Sequence, residues 1–350
     1  MPERNTMKKI QELQQVKGDA YDYYIAGNED TDLFEKIFLV DDIVEEICKP
    51  DKYFLIGEKG SGKTAYSVYM SKSDKINSFC SISLVENTLY QRFLNMKRQK
   101  ALELSSFKDV WINLIYLILA EKIRKEYGET FFSSIKYKQL SKAIDVFYSD
   151  AFKPEFVNAF EFVDNASASI NSMMKQGLFS TGTKASAETS QKYVEQSFQI
   201  SLLKIRDGFE KAFMSVNLKK PTILFVDGID ARPRDIDNEQ YFECLVGLVN
   251  AVLEMNQSFL KEKQIKIMLL IRPDIMYKMP VHNMNQKLRN NSVLLNWVTS
   301  YRKYIDSKLF KIADDYFMKQ QDYSYELGEC WNYYFPYKVE YQEKRKAPDN

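Results

Sequence analysis

The stretch that decides the fold is YFLIGEKGSGKTAYSVYMSK, residues 53–72. Its apolar start, Tyr53–Ile56, predicts a short buried strand, and the residues from about Lys63 to Ser71 predict a helix. Between them, Gly57–Thr64 fits the pattern G-x-x-x-x-G-K-S/T at every position. Glycines allow a tight backbone turn in which successive N–H groups point inward at phosphate oxygens. The order of strand, glycine-rich loop and helix therefore predicts a phosphate-binding loop.

This loop carries the side chains that a nucleoside triphosphate and its magnesium ion require. We expect Lys63 to reach the β- and γ-phosphates and the Thr64 hydroxyl to enter the Mg²⁺ shell, while the helix adds its positive N-terminal end. ATP is favoured over GTP because the guanine pattern N/T-K-x-D is absent after the late strands. The most similar string of residues, Ser71–Asp74, lies beside the helix that follows the glycine loop, which is the wrong place for guanine recognition. The predicted nucleotide-binding residues are Gly57, Glu58, Lys59, Gly60, Ser61, Gly62, Lys63, Thr64 and Ala65.

A second strand, Thr222–Asp227 (TILFVD), ends in the carboxylate that a triphosphate hydrolase needs to hold Mg²⁺ through water. We therefore predict that Thr64 and Asp227 form the metal site; the alternative is an aspartate that caps the following turn. The next residue, Gly228, stands where many ATPases place a catalytic glutamate or aspartate. Asp230 could lean toward the site in its place, so it is our candidate for the catalytic base.

A third apolar strand, Ile265–Ile271, is followed by Arg272. A polar residue at such a strand end can sense the γ-phosphate through charge-assisted hydrogen bonds. The alternative is an arginine paired with Asp274 or with a helix end. The predicted catalytic set is Lys63, Asp227, Asp230 and Arg272. Two further arginines, Arg232 and Arg234, could act on a neighbouring subunit as arginine fingers or could be solvated loop charges.

Shorter patterns complete the α/β prediction. Strands are predicted at Phe79–Leu84 and 292–297, and alternation of short apolar strands with long helices favours a parallel sheet with helices on both faces. Predicted helices are 32–48, a long one from Ser106 to Gly128, about 192–213, and 237–260. The predicted domains are a helical or loop extension at 1–30, an ATPase core at 31–300 with a helical and flexible insertion at about 105–215, and a helical, aromatic-rich region at 301–350.

Composition excludes several classes of protein. The chain has 350 residues and a net charge of +1, so no global field recruits nucleic acid or a membrane. Its longest apolar run, Trp111–Ala120, is shorter than the ~20 residues of a spanning helix. The four cysteines are widely separated and His282 is the one histidine, so neither a disulfide frame nor a common zinc site is expected. These features predict a soluble cytoplasmic protein without a membrane partner.

Four segments together resemble bacterial P-loop ATPases related to the STAND and AAA+ groups, in particular the FunZ-like ATPases. They are FLIGEKGSGKTA (54–65), ILFVDGID (223–230), IMLLIRPDI (267–275) and SVLLNW (292–297), and the resemblance extends over about 33–310. The glycine loop alone is generic, whereas the ordered set of four is more specific.

The resemblance implies a three-layer αβα core with an extra strand between the strand before the glycine loop and the strand that ends in Asp227. Phe79–Leu84 fits that extra strand. It also implies ATP-dependent switching, self-association and a frequent place in anti-phage defence loci. Members usually carry a helical lid after the sheet; here the region at 301–350 leaves room for a short or truncated lid.

Three hypotheses of function follow. The leading one is a slowly hydrolysing ATPase that acts as a switch, controlling homo-oligomer assembly or a partner effector protein. The second is an initiator- or loader-like DNA-binding ATPase, for which the basic run 96–100 is the candidate contact, although such runs are usually solvated helix faces. The third is a scaffold that holds ATP without hydrolysing it. The aromatic cluster 331–337 could be a partner surface or could pack on the core.

Overall fold

The computed structural model describes residues 12–25, 28–85, 107–132, 137–150, 202–229, 238–279, 288–297, 304–322 and 324–336. Several sequence-based predictions fall outside these ranges and stay predictions. They concern Asp230, Arg232, Arg234, His282, the predicted helix start at Ser106, the basic run 96–100 and the part of the predicted insertion at 151–201.

The described residues form an α/β protein. The strands are β1 (Phe54–Gly57), β2 (Phe79–Leu84), β3 (Thr222–Asp227), β4 (Ile265–Ile271) and β5 (Ser292–Leu295). The helices are α1 (Ala20–Ile25), α2 (Asn28–Ile37), α3 (Asp42–Cys48), α4 (Lys63–Lys72), α5 (Phe107–Phe132), α6 (Lys138–Asp150), α7 (202–215), α8 (Asn238–Gln257), α9 (Pro273–Lys278), α10 (Lys308–Met318) and α11 (Glu329–Tyr334). A short 3-10 helix spans Tyr304–Asp306.

All five strands pair in parallel, in the order β2-β3-β4-β1-β5. The register aligns Leu84 with Asp227 and Ile56 with Ile271, so the strand ends that carry the predicted site meet at one edge of the sheet. The prediction of Phe79–Leu84 as an extra strand holds in chain order, where it falls between β1 and β3. In the sheet the strand between β1 and β3 is β4, and β2 lies at the outer edge.

Helices cover the sheet, which is compatible with a three-layer αβα arrangement. On one face Ile267, Leu269 and Ile271 of β4 belong to a single large core cluster with the buried residues of α5 and α8. Helix α4 contacts β1 and β2, and its buried Val68 lies outside that cluster, on the other face. Because the strands are buried on both faces, they read as continuous apolar runs instead of alternating ones.

Two helix predictions have different outcomes. The region 32–48 was predicted as one helix, but α2 ends at Ile37 and α3 begins at Asp42. The long helix was predicted to end at Gly128, and the structure interrupts α5 there: Gly128 has a non-helical φ of 74°, and only a short further helical stretch follows to Phe132. Gly247 of α8 allows that helix to approach α5, since a Cβ there would lie 2.6 Å from the Cβ of Phe107.

The chain divides into two compact units, Asp42–Leu295 and a second unit made of Met1–Asp41 and Asn296–Asn350. In the second unit the buried Asp314 accepts hydrogen bonds from the amides of Gly328 and Trp331, which fixes the start of α11. Trp331 packs against Phe310 and Phe317. Of the two interpretations of the aromatic cluster, packing within the chain is therefore the one that the described part of it adopts. Among the described residues, no helix has the length and apolarity needed to cross a bilayer.

Candidate functional site

The glycine loop folds as a tight turn between β1 and α4. Gly60 and Gly62 have φ values of 79° and 89°, a region that residues with a Cβ rarely adopt. Gly57 has a different reason to be glycine, since a Cβ there would lie 2.2 Å from the Ser61 hydroxyl oxygen and 3.0 Å from the Cβ of Leu295. Three of the loop glycines are thus required by backbone conformation or by close packing.

Lys63 begins α4 with a side chain that is only 7% exposed. Its ammonium donates to the main-chain carbonyl of Gly57 at 2.8 Å and to that of Glu58 at 3.2 Å. The side chain therefore lies folded back along the loop. A phosphate oxygen carries negative charge, so it would be a stronger partner for this ammonium than a neutral carbonyl.

Thr64 and Asp227, which are far apart in the chain, meet at the same edge of the sheet. The Thr64 hydroxyl donates to Asp227 Oδ2 at 2.6 Å, and the Gly228 amide donates to Asp227 Oδ1 at 2.7 Å. Asp227 is 7% exposed, so both carboxylate oxygens are held in a nearly buried position at the end of β3. A hydroxyl and a carboxylate in contact beside the loop are the oxygen ligands that Mg²⁺ prefers.

Gly228 occupies the position at which many ATPases carry a catalytic base. Its φ is 82°, and a Cβ there would lie 3.0 Å from the carbonyl oxygen of Val85. The Val85 amide in turn donates to the carbonyl of Asp227 at 2.8 Å, which holds the two strand ends together. A glutamate or aspartate at this position would be strained both by φ and by the Val85 backbone. The sequence predicted the missing base, whereas the role of Val85 had no signal in the sequence pattern.

Arg272 lies at the end of β4, the strand between β1 and β3. Its Nε donates to Asp274 Oδ1 at 2.9 Å and its Nη2 to Asp274 Oδ2 at 2.8 Å. The pairing with Asp274, the alternative to the sensor role, is thus the arrangement in this structure. The guanidinium is 27% exposed and keeps further N–H groups beyond those two bonds. The structure brings Lys63, Thr64 and Asp227 together and places Arg272 at the same edge of the sheet, bonded to Asp274.

The donor set fits a polyphosphate with Mg²⁺. The loop amides and Lys63 can donate to phosphate oxygens, and Thr64 and Asp227 can hold an ion either directly or through water. Among the described residues there is no cluster of three or more histidines, cysteines, aspartates or glutamates. A magnesium site of this type needs none, because water and phosphate fill most of the coordination shell.

Comparison of the chain with protein-family models, with curated proteins and with solved structures found no match.

Proposed function

We propose that this chain is a P-loop ATPase with a three-layer αβα core, which binds ATP·Mg²⁺ at Gly57–Thr64 and acts as a nucleotide-dependent switch. The observation that carries the proposal is the 2.6 Å hydrogen bond from Thr64 to Asp227 beside a loop that fits the phosphate-binding pattern at every position. A chance match to the pattern would not bring the strand-end carboxylate of a distant segment onto the loop's hydroxyl.

Each residue then has one task. Lys63 turns its ammonium from the carbonyls of Gly57 and Glu58 toward phosphate oxygens, and the loop amides add further donors. The Thr64 hydroxyl and the Asp227 carboxylate hold the ion, which when bound neutralises phosphate charge. Arg272 adds a positive charge at the end of β4, the strand that lies between β1 and β3. Since it is bonded to Asp274, contact with the γ-phosphate requires that this pair rearrange.

The switch function follows from which contacts depend on the γ-phosphate. Lys63 and Arg272 are the groups proposed to reach it, and both are bonded elsewhere in the structure described here. Their movement between protein and phosphate partners would alter the strand ends of β1 and β4. Control of self-assembly or of a partner effector, with a role in anti-phage defence, is the output that we propose for this movement.

Gly228 favours a second candidate, a scaffold that holds ATP without turnover. A glutamate or aspartate in place of Gly228 would be strained by the positive φ and by the Val85 carbonyl. Rapid hydrolysis would therefore need a base supplied from another position. Asp230 remains the candidate from the sequence. Our proposal is therefore slow hydrolysis, and an assay of phosphate release distinguishes it from the scaffold. Steady release that disappears in Asp227→Ala supports the switch, and no release above the level of that variant supports the scaffold.

Binding is tested by calorimetry with ATP and ADP, with Mg²⁺ or with EDTA. Lys63→Ala should weaken ATP binding at least ~100-fold, because the charged contact to the phosphates is lost. Lys220→Ala is the control, since it removes an exposed lysine outside the loop and should change affinity less than ~3-fold. Equal ATP affinity for Lys63→Ala and the parent would refute the site.

A further inference from the structure

The opposite edge of the sheet holds a cavity that the proposed ATP site does not use. It lies below the starts of β3 and β4, against the end of α3, and has a volume of about 260 Å³. Its lining residues are Cys48, Pro50, Ser78, Pro221, Thr222, Ile223, Asn256, Lys261, Gln264, Ile265 and Lys266. Because parallel strands all start at one edge, the full length of the sheet separates this cavity from the glycine loop.

The lining combines apolar surface with positive charge. Prolines 50 and 221 and isoleucines 223 and 265 supply apolar walls, and Lys261 and Lys266 supply two cationic groups. Among the described residues that line the cavity there is no aspartate or glutamate. Of the two amide side chains in the lining, that of Asn256 is occupied: it exchanges two 2.8 Å hydrogen bonds with the backbone of Ile267. The fixed charge of this cavity is therefore positive.

Lys266 is buried there without an ion-pair partner among the described residues. Its side chain is 7% exposed, and its ammonium donates to the carbonyls of Ile47 and Lys49 at the end of α3. An ammonium has three N–H donors, so these two neutral carbonyls leave one donor unused and supply no countercharge. Buried charges are normally paired, because an unpaired one keeps the full cost of its desolvation.

The surroundings of Lys266 contain few groups that could offset this cost. Burial lowers the pKa of Lys266 to about 8, and the nearby Cys48, Cys80 and Asp51 do not outweigh this effect. The neighbouring thiols stay neutral at pH 7, since burial raises the pKa of Cys48 and raises that of Cys80 to about 12. Lys261 adds a like charge at the rim of the cavity. A negative group placed in the cavity would thus meet an unpaired cation.

We propose that this cavity is a binding site for a small organic carboxylate with an apolar body, whose carboxylate accepts a hydrogen bond from the Lys266 ammonium. The anionic oxygen accepts a hydrogen bond from the third N–H of the ammonium and pairs its buried charge. The apolar body of the ligand covers the proline and isoleucine walls. This site is independent of ATP binding, so its failure would leave the proposed function untouched.

The probe for this site is octanoate, with octanol as its uncharged match, both measured by calorimetry on the full chain at pH 7. Octanoate should bind and octanol should bind at least ~10-fold more weakly, because only the carboxylate pairs the ammonium. Lys266→Met removes the charge with little change in side-chain length and should weaken octanoate binding at least ~10-fold. Lys220→Met is the matched control: Lys220 is exposed and outside the lining, and this variant should bind as the parent does.

A pH series tests the same point without a mutation. Octanoate stays ionised from pH 7 to pH 9, and both thiols stay protonated through most of this range because burial raises their pKa values. Loss of the Lys266 proton around pH 8 should therefore weaken octanoate binding about 10-fold between pH 7 and pH 9. Thermal unfolding of each variant verifies that it is folded. The proposal is overturned if octanol matches octanoate, if Lys266→Met retains parental affinity, or if affinity is independent of pH.

Discussion

A nearly buried lysine lies at each of two edges of the sheet, one where the strands end and one where they start. The two ammonium groups are buried to the same extent but have different surroundings. Lys63 at one edge and Lys266 at the other are both 7% exposed, and each donates to two main-chain carbonyls. Lys63 stands at a helix N-terminus within a loop of amides, beside a hydroxyl and a carboxylate. Lys266 stands on a strand beside apolar walls. The first surroundings suit a polyphosphate with a metal ion, and the second suit a single anionic group on an apolar body.

The comparison shows how far a buried ammonium can indicate a ligand. A carbonyl oxygen is neutral, so an anion would be a stronger partner for either ammonium than the carbonyls that it contacts. The anion's character then depends on the other groups present. If the comparison is sound, changes at one edge should affect one ligand and spare the other.

The largest expected effect comes from the glycine loop. Gly57→Ala should reduce ATP affinity at least ~100-fold, because the new Cβ would collide with Ser61 and displace the loop amides. Octanoate affinity should stay within ~2-fold of the parent, since the cavity is at the far edge. Calorimetry with both ligands measures this. Gly208→Ala, where nothing lies within 4 Å of the added Cβ, is the control. If Gly57→Ala weakened the binding of both ATP and octanoate, the two sites would not be independent.

The next effect concerns Lys266 and the free energy of unfolding. The pKa of Lys266 is about 8 in the folded protein, below its ordinary value of 10.5. Between these two pH values Lys266 binds more protons in the unfolded chain than in the folded one, so its own contribution to stability rises with pH. The parent should therefore gain roughly 2–3 kcal/mol from this group between pH 8 and pH 10.5, measured by urea unfolding.

Lys266→Met should lack this gain, whereas Lys220→Met should keep it. The difference in slope between the two variants isolates Lys266 from other groups that titrate in the same range. Identical slopes for the parent and Lys266→Met would show that the ammonium at this edge is not destabilised by burial.

A smaller effect is expected at Gly228. Gly228→Ala should destabilise the protein by about 1–2 kcal/mol, because of its positive φ and the contact with Val85. Gly228→Glu should destabilise it further and should not accelerate phosphate release, since the added carboxylate cannot be placed without strain. Thermal unfolding and a phosphate-release assay measure the two effects. Faster release by Gly228→Glu would refute the exclusion of a base from this position.

The smallest effect is expected at Asp274. Exposed ion pairs contribute about 0–1 kcal/mol, so Asp274→Asn should raise ATP affinity by no more than ~5-fold as it frees Arg272. ADP affinity should not change, because only the γ-phosphate is proposed to meet Arg272. Competition binding with both nucleotides measures this, and Arg272→Lys, which loses the bidentate pair, is the companion variant. An equal rise in ADP affinity would show that the effect does not depend on contact between Arg272 and the γ-phosphate.

Much of the sheet was predictable because its signals are local. The bounds of β2, β3 and β4 agree with those predicted, since an apolar run flanked by turn residues is visible in the sequence itself. The order of the strands is not local, and β4 rather than β2 separates β1 from β3. The break between α2 and α3 was also missed, because the apolar spacing continues across it. The positions of Lys63, Thr64 and Asp227 followed from a motif in which spacing determines geometry.

The cavity at the other edge could not be predicted in this way. Ile265–Ile271 was interpreted as a fully apolar strand, although Lys266 lies within it. A lysine in a buried run is the signal that could have been followed. What it faces depends on α3 and on the starts of β2 and β3, which lie far away in the chain and approach it only in the fold.

The strand order also affects how the chain emerges during synthesis. Among the described strands, β1 comes first in the chain, and it pairs on either side with β4 and β5, the last two. About 200 residues separate Gly57 from β4, so at roughly 5–20 residues per second the ribosome needs ~10–40 s to supply the first partner. During that interval both edges of an apolar strand lack their final partners. A nascent chain of this design therefore needs either shielding of β1 or rapid provisional packing of α4 before the glycine loop can take its shape.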